Sequence, residues 1–99
     1  MSSTFPGDAT AVISAGQLST ELGGEVVILG LQDSVYYGLT NVGARIWALL
    51  QTPRTLDEIV RRLVEEYDVD TGQAEADLRD LLRELHSRGL VAITLPDRA

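Results

Sequence analysis

Few side chains in this chain can do chemistry. His86 is the sole histidine and there is no cysteine, so an imidazole cluster, a thiolate metal site and a cysteine nucleophile are all excluded. His86 falls with Arg88 in the last turn of a helical stretch, where positive charge complements the helix dipole. No nucleophile stands at catalytic spacing from an acid or base. The chain is therefore expected to be no enzyme, with no catalytic residue, no metal and no cofactor. What remains is recognition chemistry. Glu75, Asp77, Asp80 and Glu84 put carboxylates along one helical stretch, able to select a basic group. Tyr36 and Tyr37 stand side by side in an extended segment, so one faces the core and the other faces solvent or a ligand.

Composition narrows the class further. At 99 residues the chain is one domain by length, and 44% apolar content supports a folded globule with one modest core. The net charge is −7 and every basic residue is arginine, so a phosphate backbone would be repelled over most of the surface. No apolar run reaches the roughly 18 residues of a membrane span, and the first ten residues lack a secretory signal pattern. A cytoplasmic protein binding neither nucleic acid nor membrane is expected.

These residues need elements to hold them. Residues 1–11, with Pro6 and Gly7, read as a flexible tail, 12–95 as the domain, and 96–99 as a second tail. Leu18 to Leu22 and Glu25 to Leu29 flank Gly23-Gly24, a hairpin signal. A turn from Gly30 to Ser34 leads to Val35-Tyr36-Tyr37-Gly38-Leu39, a third strand at the edge of an antiparallel meander. Gly30 to Val35 resembles in outline the phosphopantetheine site of acyl carrier proteins, but there the serine opens a helix, whereas here a strand follows. Val42, Ile46, Leu49 and Leu50 share a helical face flanked by Trp47, which is expected in the core, and Thr40 is placed to cap that helix. Thr55 with Glu58 is a capping box opening a second helix. Asp70 with Gln73 opens a third, on which Ala74, Leu78, Leu81, Leu82 and Leu85 fall within about 100° of arc, with Gly89 at its close. The fold class is α+β: a three-stranded antiparallel meander followed by three helices, like a winged helix-turn-helix in outline.

The segments Leu22 to Leu29, Val35 to Leu39 and Val42-Gly43-Ala44-Arg45-Ile46-Trp47 resemble the PqqD-like family. So do Thr55-Leu56-Asp57-Glu58-Ile59-Val60, Tyr67-Asp68-Val69-Asp70, Ala76-Asp77-Leu78 and Leu85 to Val91. The ordered set spans Leu18 to Val91. Two positions depart from the family pattern: Gly30, where aspartate is common, and Leu39-Thr40, where leucine-asparagine is common. The resemblance implies a recognition element in the biosynthesis of ribosomally made, post-translationally modified peptides. Such an element binds the leader segment of a precursor and delivers it to a modifying enzyme. Tyr36 to Leu39 and Gly43 to Trp47 are similar to the free-standing leader-binding proteins of lasso-peptide pathways.

The resemblance further implies that the leader adds as a strand between the third strand and the third helix. Its contacts would be Val35, Tyr36, Tyr37, Gly38 and Leu39 on one side and Asp77, Leu78, Asp80, Leu81 and Glu84 on the other. The Tyr37 N–H is expected among the free edge donors. The implied partners are the leader peptide and a downstream processing enzyme: a leader peptidase in the lasso setting, a radical enzyme in the quinone-cofactor setting. A monomer or weak homodimer is expected. The alternatives are a winged-helix DNA-binding regulator, disfavoured by the acidic third helix, a PqqD-type chaperone for a radical enzyme, and a small assembly subunit of an enzyme complex.

Overall fold

Gly23 and Gly24 both take positive φ, 59° and 87°, the pair of left-handed conformations that a two-residue type I′ hairpin requires. They fix Leu22 opposite Glu25 and so set the register of the whole hairpin, down to Gln17 opposite Gly30. The computed structural model describes residues 5–96. In chain order the elements are β1 (Thr10–Ile13), β2 (Gln17–Leu22), β3 (Glu25–Gly30), β4 (Tyr36–Thr40), α1 (Val42–Leu49), β5 (Arg54–Thr55), α2 (Leu56–Tyr67), α3 (Thr71–Ser87) and β6 (Val91–Thr94). The expected meander is the sheet β2-β3-β4, all antiparallel, and its expected third strand is β4. The three expected helices follow it, so the chain is α+β as read.

A second sheet, of order β5-β1-β6, was not anticipated. It corrects the extent of the N-terminal tail. Residues 10 and 11 begin β1, the central strand, which pairs with β6 from Thr10↔Thr94 to Ile13↔Val91. Ala9 and Ala11 are fully buried. The segment before β1 is also engaged. The Gly7 and Ala9 carbonyls accept the first free N–H groups of α2, from Asp57 (2.9 Å) and Leu56 (3.1 Å). Arg79 of α3 donates to the Phe5 carbonyl, and the Phe5 ring meets His86 edge-on. Residues 1–4 and 97–99 of the expected tails lie outside the described residues.

The helix ends mostly follow their local chemistry. Thr55 Oγ1 accepts from Glu58 N at 3.2 Å, but the Glu58 carboxylate pairs with Arg54 (2.6 Å). Asp70 caps α3 through Gln73 N at 2.7 Å. At the other end of α3, Leu90 N bonds Leu85 O and Gly89 N bonds His86 O, with Gly89 at φ 75°; this is a Schellman closure. α1 is the exception. Thr40 ends β4 instead of capping, and Asn41 holds the cap position with no side-chain bond.

One core joins the layers. Val26 and Ile28 of β3 meet Ile46 and Trp47 of α1, Leu56, Ile59 and Leu63 of α2, and Leu78, Leu82 and Leu85 of α3. Trp47 is buried as expected, with Nε1 donating to Ser19 Oγ at 3.2 Å. Arg45 and Glu66 tie α1 to α2 through two 2.8 Å hydrogen bonds. The Arg45 hydrogen bond holds the Glu66 carboxyl below the usual carboxylate range, against a smaller opposing push from desolvation.

Two outcomes follow. Deleting residues 1–11 removes the first half of the middle strand of one sheet and the outer caps of α2. It should cost about 3 kcal/mol or more of a total on the order of 5–10 kcal/mol, measured by guanidinium unfolding. Because the folded Glu66 pKa is depressed, its contribution is present above the unfolded value of about 4.3 and fades as pH falls through the folded one. Melting temperatures taken from about pH 6 down to pH 3 should therefore fall less steeply for Glu66→Gln than for the parent.

Candidate functional site

β4 is bonded along one side only. Among the described residues its sole sheet neighbour is β3. Which groups it leaves free follows from the register. Gly30 N donates to Val35 O at 2.9 Å, so the Gly30–Val35 pair is a hydrogen-bonded one. Antiparallel pairs alternate, so Ile28↔Tyr37 and Val26↔Leu39 are bonded pairs as well, while Leu29↔Tyr36 and Val27↔Gly38 are not. The main-chain groups of Tyr36, Gly38 and Thr40 therefore point out to the vacant margin. Those of Tyr37 and Leu39 point in to β3, which corrects the expectation that Tyr37 N–H is an edge donor. Val35 lies just before the strand, its N–H turned to Asp33 Oδ1 at 3.1 Å.

Side chains follow the same alternation. Tyr37 and Leu39 are half-buried on the helix side, whereas Tyr36, Gly38 and Thr40 are exposed on the outer face. Leu39 and Leu81 approach each other over Gly43 of α1: a Cβ there would lie 3.6 Å from Leu39 Cδ2 and 3.9 Å from Leu81 Cδ2. These three residues form an apolar floor between β4 and α3. At the far end Tyr37 closes the gap. Its hydroxyl donates to Asp33 Oδ2 and accepts from Arg88 Nη1, both at 3.1 Å, and the Arg88 guanidinium carbon lies 4.9 Å above its ring. Arg88 also donates to Glu84 Oε2 at 2.6 Å, and Glu84 first, then Tyr37, holds the guanidinium pKa above its ordinary value.

Asp77, Asp80 and Glu84 line the α3 wall, but each already has a partner at its own helix. Asp77 accepts from Gln73 Nε2 (2.8 Å), Asp80 pairs with Arg83 (3.3 Å) and Glu84 with Arg88. Their power to select a basic group is reduced accordingly. Leu78 is a correction: it is 1% exposed in the core, about 100° round the helix from Asp77, and does not reach the groove. Leu81 does. Gly43 and Arg88 escaped the sequence reading. The signal for Arg88 was present, since Asp77, Leu81, Glu84 and Arg88 recur at helical one-face spacing. Gly43 had none beyond its small size.

No group of three or more His, Asp or Glu side chains converges as a metal site among the described residues. No helix among them is long and apolar enough to cross a membrane.

A small α+β domain whose sheet stops at an open margin beside a helix is built so that a strand from outside can extend the sheet. Residues 25–91 match the family described as Coenzyme PQQ synthesis protein D (PqqD), and the chain belongs to that family. No curated protein matches it. Among solved structures it is similar to TbiB1 in complex with the TbiA(beta) leader peptide, at 44% identity and a TM-score of 0.76, over 81% of this chain and 93% of that one. It shares its fold with a lasso peptide synthetase B1 complexed with the leader peptide, at 22% identity and TM-score 0.68, over 83% and 96% of the two chains. The fold also recurs in the PqqD truncation of Methylobacterium extorquens PqqCD, a stand-alone recognition element, at 20% identity and TM-score 0.73, over 89% and 94%.

The backbone parity is open to a direct check. Tyr37→Pro removes a donor bonded to β3 and should cost about 2–4 kcal/mol. Gly38→Pro removes an outward donor only and should cost under about 1 kcal/mol. Denaturant unfolding of the two variants measures the difference, and equal losses would show that the assigned parity is wrong.

Proposed function

We propose that this protein is a non-catalytic binder of the leader segment of a ribosomally synthesised, post-translationally modified precursor peptide, of the lasso type. The leader adds to β4 as a further strand, its backbone bonding to Tyr36, Gly38 and Thr40 and its inward side chains settling on Leu39, Gly43 and Leu81. The observation that carries the reading is the vacant margin of β4 beside α3. The likeness to the leader complex of TbiB1, at 44% identity, supports it. The processing enzyme that receives the loaded leader is a leader peptidase. The DNA-binding alternative has no support in α3, whose outer stripe is Asp77, Asp80 and Glu84 with every base among them already paired to acid.

Shape and backbone complementarity, more than charge, set this recognition, because two of the three wall carboxylates, Asp80 and Glu84, are already paired with arginine. The labelled TbiA(beta) leader peptide, titrated into the protein and followed by anisotropy, should bind saturably with a dissociation constant on the order of micromolar or tighter. Leu81→Asp, which places a charge on the groove floor, should weaken it by roughly tenfold or more. Raising salt from about 0.05 to 0.5 M should change the affinity by only about twofold or less. No saturable binding by the parent protein would overturn the reading.

A further inference from the structure

The outer face of the sheet β2-β3-β4 carries two neighbouring rows, Leu18–Leu29–Tyr36 and Thr20–Val27–Gly38, read straight across the three strands. Leu18 is 61% exposed and Tyr36 69%. Between them lies a dimple of about 150 Å³ lined by Leu18, Ser19, Thr20, Val27, Leu29 and Tyr36. Apart from the Ser19, Thr20 and Tyr36 hydroxyls these side chains offer hydrocarbon or aromatic carbon. On the β4 side Tyr36 walls one end of the dimple, and beside Val27 it is open. Gly38 is the position that would close it, and a Cβ there would meet nothing within 4 Å. The opening faces the same margin to which the Gly38 main chain points.

We infer that this dimple is a second anchor subsite for the added strand, taking a large apolar or aromatic side chain from the guest residue that faces Gly38. The inference rests on the strand-addition reading above. Strands lie about 4.8 Å apart, so the guest Cα stands roughly 10 Å from that of Val27, with only the bare glycine between. An aromatic side chain leaning across it reaches the Val27 and Leu29 floor, the arrangement by which cross-strand aromatics cover glycines in sheets. The guest then grips both faces of β4: one side chain on the Leu39–Gly43–Leu81 floor and the next, with opposite parity, in the outer dimple. A charged or small residue at the outward position leaves the dimple wet and is selected against.

The test uses the full chain and the TbiA(beta) leader peptide. Gly38→Val fills the opening with a residue that suits a strand; its melting temperature should hold or rise while leader affinity drops by about tenfold. Alanine replacement of each large apolar leader residue in turn should reveal one whose loss weakens binding to the parent protein but not to Gly38→Val. That coupling is what a general disturbance of the edge would not produce. If Gly38→Val folds poorly, Gly38→Ala carries the same comparison at about two- to threefold. Binding to the Gly38→Val protein as tight as to the parent, or no coupled leader residue, overturns the subsite and leaves strand addition intact. Failure of the parent protein to bind the leader at all overturns both.

Discussion

Among the described residues β3 has main-chain partners on both sides while β4 has them on one, and the rest of the molecule serves that inequality. Val26 and Ile28 point from β3 into the core, against Ile46 and Trp47. A slip of one residue would turn those two side chains to water and bring Val27 and Leu29 inward. Burial therefore fixes the parity of β3. The bond from Gly30 N to Val35 O then fixes that of β4. The same choice turns Tyr37 and Leu39 toward the helices and leaves the groups of Tyr36, Gly38 and Thr40 without partners in their own sheet. Orientation of the open margin is thus a by-product of core packing two strands away.

Much of this architecture was legible in local sequence. Gly23-Gly24, Thr55 with Glu58, Asp70 with Gln73, and Gly89 each dictate a turn or a helix end through contacts a few residues long. The strand β1 was not legible, because its reasons are remote. Ile13 finds its partner at Val91 and Ala11 finds Ile93, while Ala9 and Ala11, being small, look like the composition of a loose tail. What buries them is the arrival of β6 and α2. The groove was half legible. A helical stripe of leucines does not say which of Leu78 and Leu81 faces the core, since they stand about 60° apart and the answer depends on where α1 lies. The donor parity of Tyr36 against Tyr37 was not legible either. Alternation is a property of a strand pair, and only the register with β3 decides it.

The outline, a small sheet with three helices, is shared with domains that read DNA, yet the electrostatics here run the other way. All the basic side chains are arginines, and several are spent on neighbouring carboxylates: Arg45 on Glu66, Arg54 on Glu58, Arg88 on Glu84. Such exposed pairs add little stability, but the last of them quietens the field at the end of α3. Arg88 does more than neutralise. By stacking on Tyr37 and bonding its hydroxyl, it joins the end of α3 to the start of β4 and sets how far apart the two walls of the groove stand.

β2 is the other margin of the same sheet, and among the described residues it too has a single neighbour. A body with two unlike sticky borders can be laid in a row, the last border of one copy against the first of the next, and a row of that kind grows without limit unless its rotation closes it into a ring. Seven units of like charge on each copy oppose such growth. A ligand seated on β4 caps it outright. Occupancy would therefore protect the molecule from fibre formation as well as deliver cargo, and the empty form is the one that has reason to be scarce.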